Sequence, residues 1–120
     1  MSSHHLPKQA SWHGSDVLTD YPFQPRVLEA LAKKGITKLF PIQVAAFPYV
    51  YAGRDIVAKA RTGTGKTLGF ALPIIQRLME QNVAGSKTPQ VLVVLPTREL
   101  AIQVQKDFVD VGQGLRSTCV

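Results

Sequence analysis

Cysteine is almost missing from this sequence, since Cys119 is the only one among 120 residues. A single cysteine excludes a disulfide within the chain, and with it the small secreted domains that several disulfides hold together. A thiol that has no partner in its own chain is typical of proteins from a reducing compartment. We therefore expect an intracellular location, in the nucleus or the cytoplasm.

Long hydrophobic runs are also lacking. The longest strongly apolar runs are near residues 70–75 and 91–95, far below the length of about 20 residues that crosses a membrane. The first fifteen residues have neither the apolar core of a secretory signal nor any arginine. The sequence therefore predicts no membrane partner.

Acidic residues are few. Eight Asp and Glu stand against fourteen Lys and Arg, which gives a net charge of +6 and a pI near 9.8. This balance favours anionic partners, but it does not choose between a nucleotide, a nucleic acid and an acidic protein. Many soluble domains are equally basic without binding a polyanion, so the kind of partner has to be inferred from the sequence motifs.

Four amphipathic stretches predict helices. The first runs from about residue 24 to 35, with Pro25 near its start and Gly35 at its end. The second begins at Pro41, and Pro48 is expected to end it and restart a turn. The third covers residues 65–79, where Pro73 should bend or split it, and the fourth covers 97–112.

Two short apolar runs predict buried strands, at residues 55–60 and 91–95. The second is nearly continuous in β-branched residues, which suits a central parallel strand covered on both faces. Strands that alternate with helices indicate an α/β fold with a parallel sheet and flanking helices. Residues 1–20 are polar and aperiodic, and we expect a flexible N-terminal extension there.

The segment "ARTGTGKT", residues 60–67, lies between a predicted strand and a predicted helix. Gly63 and Gly65 let the backbone N–H groups come close to an anion, and the following helix offers its positive N-terminus. Lys66 can reach the β- and γ-phosphates, and the Thr67 hydroxyl can bind Mg²⁺. The predicted ligand is a nucleoside triphosphate with its metal, on a P-loop NTPase fold. The whole loop is assigned to this ligand: Ala60, Arg61, Thr62, Gly63, Thr64, Gly65, Lys66 and Thr67, with Lys66 and Thr67 also assigned to catalysis.

The loop departs from the general G-x-x-x-x-G-K-S/T pattern because Ala60 holds the place of the first glycine. Alanine is small enough for the turn. The competing interpretation is a glycine-rich turn with an incidental lysine. The position between strand and helix favours phosphate binding.

Together with "PTRELA" at residues 96–101 and "GITKLFPIQ" at residues 35–43, this loop resembles the DEAD-box RNA helicases of superfamily 2. The resemblance implies a RecA-like fold, with ATP and Mg²⁺ as cofactors and RNA as partner, both single strands and short duplexes. Residues 21–120 would be the N-terminal part of the ATP-binding domain, ending before the D-E-A-D motif. "LFPIQ" is similar to the nucleolar Gu-type members, which adds the nucleolus to the expected locations.

In that family the glutamine of the Q motif reads adenine, and Gln43 is the matching residue. A carboxamide can pair with the N6 donor and N7 acceptor of adenine, worth about 1–3 kcal/mol against a wrong base. The alternative is a partly exposed helix glutamine without a ligand. Leu39 and Phe40 stand where the family has Pro-Thr or Pro-Ser, so a capping hydroxyl is missing.

The family also stacks an upstream aromatic residue on the adenine, and Leu18 holds the corresponding position. Tyr21 can substitute for it. Equally, Tyr21 and Phe23 can simply pack against the first helix, and the sequence leaves both options open.

"PTREL" contacts the RNA backbone in the family, which carries this role over to Pro96, Thr97, Arg98 and Glu99. Thr97 can cap the helix, whose free N–H groups with Arg98 suit one or two phosphates. Glu99 complements the helix dipole. The alternative is a capped helix with solvated charges.

The leading hypothesis is therefore a fragment of an ATP-dependent RNA helicase, and the sequence names no protein partner for it. The alternatives are a truncated, non-catalytic nucleotide- or RNA-binding module and another P-loop enzyme, such as a DNA helicase or a transporter ATPase. Since no acidic residue follows a predicted strand to hold the metal and water, we expect no ATP turnover by these 120 residues alone. In RecA-like folds other strands lie between the two predicted here, so we also expect the isolated chain to be marginally stable.

Overall fold

Four helices form the regular structure of the computed structural model, which describes residues 12–61, 65–81 and 88–115. In chain order they are α1 (Pro25–Lys33), α2 (Pro41–Tyr51), α3 (Lys66–Glu80) and α4 (Arg98–Val111). A short 3-10 helix, Leu18–Asp20, precedes α1. α2 packs along α3, α3 also contacts α4, and α1 contacts α4. Within these described ranges no helix is long and apolar enough to cross a membrane.

Prolines lie inside two of the helices without ending them. α2 continues through Pro48 to Tyr51, and α3 continues through Pro73 to Glu80. The predicted turn at Pro48 and the predicted split of the helix at Pro73 are therefore wrong, whereas a bend at Pro73 stays a prediction. Proline removes one helix hydrogen bond and strains the preceding turn. Both rings are buried in the packed interior, where apolar contacts offset this local cost.

The centre of the core is an aromatic cluster around Phe47 of α2, which is 1% exposed. Four rings lie within 6 Å of the Phe47 ring, centroid to centroid, at 4.8 to 5.8 Å; they belong to Trp12, Tyr21, Phe23 and Tyr51. The cluster continues into the predicted apolar face of α3 through Leu68, Leu72 and Ile75. Aromatic packing thus fixes the segment from Trp12 to Phe23 onto α2.

Residues 12–20 are anchored to this core through Trp12 and Leu18, and the prediction that they form part of a flexible extension is wrong. Trp12 is 7% exposed and Leu18 is 9% exposed. Val17 forms an isolated antiparallel bridge with Lys38, and the Leu39 N–H donates to the Asp16 carbonyl at 2.9 Å. The sequence pattern missed this packing because the segment has no periodicity. Residues 1–11, the rest of the predicted extension, lie outside the described residues.

The two predicted strands do not form a sheet in the described part of the chain. Residues 55–60 and 91–95 carry no strand structure, and most of their apolar side chains are exposed instead of buried. Val57 is 94% exposed and Leu92 is 86% exposed. A parallel strand needs a neighbouring strand for its N–H and C=O groups, whereas a helix satisfies them locally. Neither segment has such a neighbour among the described residues.

Exposed apolar segments with unpaired backbone groups favour association of chains. We expect the isolated 120-residue chain to aggregate, and the double substitution Val57→Lys and Leu92→Lys to reduce this aggregation strongly. Light scattering and size-exclusion chromatography measure the effect. The matched control replaces Ile102 and Val109 by lysine, because both lie exposed on α4 and the added charge is the same. Equal improvement by the control pair would show that charge alone is responsible.

Candidate functional site

The candidate site lies where the first turn of α2 meets the start of α3. Gln43 occupies the third position of α2 and is only 3% exposed. Its Oε1 accepts a hydrogen bond from the Phe40 N–H at 2.9 Å. Its Nε2 donates to the Gly65 carbonyl at 3.1 Å, across 22 residues of sequence. One side chain therefore links the start of α2 to the end of the glycine-rich loop.

These two hydrogen bonds give Gln43 a structural role that neither sequence interpretation contained. The side chain is buried and held by the protein, so the alternative of a partly exposed helix glutamine is wrong. The Gln43 amide accepts the hydrogen bond from the Phe40 N–H, as the N3 residue of a capping box does. Phe40 has no side-chain oxygen, so the reciprocal bond of a capping box is missing. A primary amide still has one free N–H and one free lone pair after two such bonds. Reading of adenine by Gln43 stays a prediction.

Gly65 has a backbone conformation that favours glycine, with φ at +81°. A Cβ at this position would lie 2.9 Å from Cδ2 of Phe40 and would overlap Nε2 of Gln43. The Gly65 carbonyl also accepts from the Gly69 N–H at 3.1 Å, the first hydrogen bond of α3. Absence of a side chain thus permits both the close approach of α2 and the turn into α3.

Lys66 and Thr67 are the first two residues of α3, with Lys66 exposed and Thr67 half-buried. The N-terminus of a helix presents unpaired N–H groups and the positive end of the helix dipole. An ammonium group and a hydroxyl at this end are what a phosphate chain with a divalent cation can use. The rest of the predicted loop is described only in part. Ala60 is half-buried and Arg61 is exposed, while the predicted residues Thr62, Gly63 and Thr64 lie outside the described residues.

The described ranges contain no group of three His, Cys, Asp or Glu side chains that could hold a metal ion. Among the residues described at this turn, the Thr67 hydroxyl is the group that would ligate a Mg²⁺. The Cβ-free backbone at Gly65 and the cation at Lys66 fit a metal–triphosphate ligand.

Thr97 caps α4 as predicted, because its Oγ1 accepts from the Leu100 N–H at 3.1 Å. Arg98 is the first residue of the helix, Glu99 follows in the first turn, and both are exposed together with Pro96. The cap leaves neighbouring N–H groups of the first turn available beside the Arg98 guanidinium. This arrangement can accept a phosphate, and contact with RNA stays a prediction.

Leu18 and Tyr21, the two candidates for stacking on a base, are both buried in the aromatic core. The Tyr21 ring stacks between those of Trp12 and Phe23, at centroid distances of 5.5 and 5.3 Å. Its hydroxyl donates to the Ser15 carbonyl at 2.6 Å. Burial, with smaller contributions from the Asp16 and Asp20 carboxylates, raises the pKa of Tyr21 to about 12. The structure supports packing of Tyr21 in the core, although its ring partner on a helix is Phe47 of α2 and the prediction named the first helix.

Comparison with known proteins gives a family model, described as DEAD/DEAH box helicase, that matches residues 40–120. Among curated proteins, human ATP-dependent RNA helicase DDX50 is 48% identical over 103 residues, which cover 84% of this chain and 14% of that protein. Nucleolar RNA helicase 2 from Rattus norvegicus is 46% identical, with 84% of this chain and 13% of the relative covered. DEAD-box ATP-dependent RNA helicase 3 from Helianthus annuus is 50% identical over 100 residues, with 79% of this chain and 43% of the relative covered.

Among solved structures, the crystal structure of a DEAD box protein from the hyperthermophile Methanococcus jannaschii matches with a TM-score of 0.70. The sequences are 31% identical, and the match covers 84% of this chain and 27% of that one. By comparison with the curated relatives, the chain spans only about one-seventh of the length of human ATP-dependent RNA helicase DDX50.

Proposed function

Because this chain belongs to the DEAD/DEAH box helicase family, we propose that it is the N-terminal part of the ATP-binding domain of an ATP-dependent RNA helicase. The observation that carries the proposal is the Gln43–Gly65 hydrogen bond. It brings a carboxamide suited to a base next to a glycine turn suited to phosphates. Residues 21–120 form this part of the domain in the proposal, and the sheet is completed by strands from the rest of a RecA-like fold.

In the proposed mechanism, the residues at the start of α3 hold the triphosphate. Lys66 binds the β- and γ-phosphates, and Thr67 binds Mg²⁺ through its hydroxyl. The metal supplies charge neutralisation at the transferred phosphoryl group. The helix N-terminus adds its N–H groups, and the lack of a side chain at Gly65 keeps the backbone close to the anion. The remaining phosphate contacts are assigned to the loop residues Ala60, Arg61, Thr62, Gly63 and Thr64.

Gln43 is proposed to recognise adenine with the N–H and the lone pair that its two protein hydrogen bonds leave free. Because the Gly65 carbonyl fixes the amide, its orientation is set before a nucleotide binds. A preorganised group loses less conformational entropy on binding. Base recognition and phosphate binding are then coupled through a single side chain.

The capped N-terminus of α4 is proposed to bind the sugar–phosphate backbone of RNA. Thr97 orients the first turn, Arg98 supplies the charge, and Pro96 fixes the entry of the chain. The Glu99 carboxylate stabilises the helix N-terminus through a favourable interaction with the helix dipole. It does not itself neutralise the charge of the RNA phosphates. Such contacts do not depend on base sequence, so the site binds single strands and the strands of short duplexes alike.

A nuclear or nucleolar location is proposed from the likeness to Nucleolar RNA helicase 2. The basic net charge of +6 is compatible with an RNA-rich compartment.

Comparison of nucleotides tests the proposed function. We expect the monomeric fraction of the 120-residue chain, isolated by size-exclusion chromatography, to bind ATP with Mg²⁺ more tightly than GTP and to release no phosphate. The full-length protein is expected to hydrolyse ATP when single-stranded RNA is added. Isothermal titration and a phosphate-release assay on the same preparations measure both steps. Equal affinity for GTP and ATP would favour another P-loop enzyme. Binding of ATP without added RNA, together with no ATP hydrolysis by the full-length protein, would favour the non-catalytic module.

A further inference from the structure

Phe40 is the exposed aromatic residue beside the candidate site. It lies directly before α2 and is 45% exposed, although neighbouring Leu39 is buried at 2%. Its ring approaches the Gly65 backbone so closely that a Cβ there would lie 2.9 Å from Cδ2. Its own N–H is held by the Gln43 amide. The ring therefore lies against the glycine turn, the Gln43 amide holds the backbone of the same residue, and much of the Phe40 surface is open to solvent.

The Phe40 ring takes no part in the packing of the core. The buried aromatic cluster takes up Trp12, Tyr21, Phe23 and Phe47, while Phe40 stays outside it. Leu18 and Tyr21, which the sequence offers as stacking residues, are 9% and 4% exposed and packed against other side chains. Neither can meet a planar ligand without opening the core.

We propose that Phe40 is the aromatic surface on which the purine base of the bound nucleotide stacks, next to Gln43. This inference rests on the proposed nucleotide-binding function. A purine has a polar edge and two π-faces. The same base can therefore form hydrogen bonds to a carboxamide through its edge and stack on an adjacent aromatic ring through one face. Phe40 stands where the usual family pattern has Thr or Ser, so this contact would be restricted to sequences that carry an aromatic residue at this position. Stacking tolerates any base, and selectivity for adenine remains with Gln43.

Binding of ATP with Mg²⁺ and of inorganic tripolyphosphate with Mg²⁺ to the full-length protein tests this role. We expect Phe40→Leu to weaken ATP binding by about tenfold, the effect of losing one base–aromatic stack. The same change should leave tripolyphosphate binding unaltered, because that ligand has no base. Phe40→Trp keeps a ring and should retain the affinity of the original protein. The matched control is Tyr49→Leu, an exposed aromatic position near the other end of α2, which should change neither affinity.

Proton NMR of bound ATP provides a second readout. The adenine H2 and H8 resonances should show an upfield ring-current shift in the original protein and in Phe40→Trp, and lose it in Phe40→Leu. Unchanged ATP affinity and unchanged shifts in Phe40→Leu, with binding still lost in Lys66→Ala, would overturn the stacking role and leave the proposed function standing. Failure of the original protein to bind either ligand would overturn both.

Discussion

ATP hydrolysis stimulated by RNA should fall about 100-fold or more when Lys66 is replaced by alanine in the full-length protein. Removal of one preorganised group that stabilises developing charge commonly costs this much in rate. Lys66 is the first residue of α3, where its charge adds to the helix dipole at the phosphate site. Phosphoryl transfer depends mainly on positioning and on charge stabilisation, so removal of the ammonium group should act directly on the rate of hydrolysis. Steady-state phosphate release at saturating RNA measures the loss.

The control for this substitution is Lys33→Ala, which removes an equal charge from the last turn of α1. That variant should keep near-normal turnover, because Lys33 is exposed and lies outside the candidate site. Circular dichroism should show the same helix content in both variants. Normal turnover in Lys66→Ala would remove the lysine from the mechanism and leave the phosphate-binding assignment without its cation.

Replacement of Phe47 by alanine should destabilise the protein by about 3–5 kcal/mol, the usual cost of deleting a large buried aromatic side chain. Phe47 is 1% exposed, and four other rings surround it. Domains are typically stable by about 5–15 kcal/mol, and the isolated chain is expected to fall near the bottom of that range or below it. We therefore expect Phe47→Ala to unfold the isolated chain at 25 °C. Loss of the helical circular dichroism signal is the measurement.

Phe40→Ala is the matched control for Phe47→Ala, because it removes the same side chain from an exposed position a few residues earlier. It should cost well under 1 kcal/mol, as most surface substitutions do. Urea unfolding of the two variants in the full-length protein gives the comparison on a stable background. Equal destabilisation by both substitutions would contradict the burial that distinguishes them.

Local sequence patterns predicted the helices with good accuracy because a helix satisfies its backbone within four residues. Pro25 begins α1, and Gly35, with φ at +76°, follows its end. Thr97 caps α4 as its hydroxyl suggested. The prolines at 48 and 73 show the limit of such patterns, since burial of both rings in the core overrides the local tendency to break a helix.

The motifs predicted the family, and the comparisons confirm it. Three short segments in the right order carried that prediction, together with a chemical reason for each. The strands were predicted from the same kind of pattern, yet residues 55–60 and 91–95 form no ladder within the described part of the chain. A strand depends on a partner that is distant in sequence, and its own composition cannot supply one.

By itself, the sequence determined the positions of the four helices, the glycine turn before Lys66 and the membership of a family, because each depends on residues close together in the chain. Only the tertiary structure decided that Gln43 is held by Gly65, that Tyr21 is buried and that Phe40 is exposed beside the turn. These outcomes depend on which distant side chains compete for the same space. Apolar packing around Phe47 took Tyr21 into the core and left Phe40 outside it.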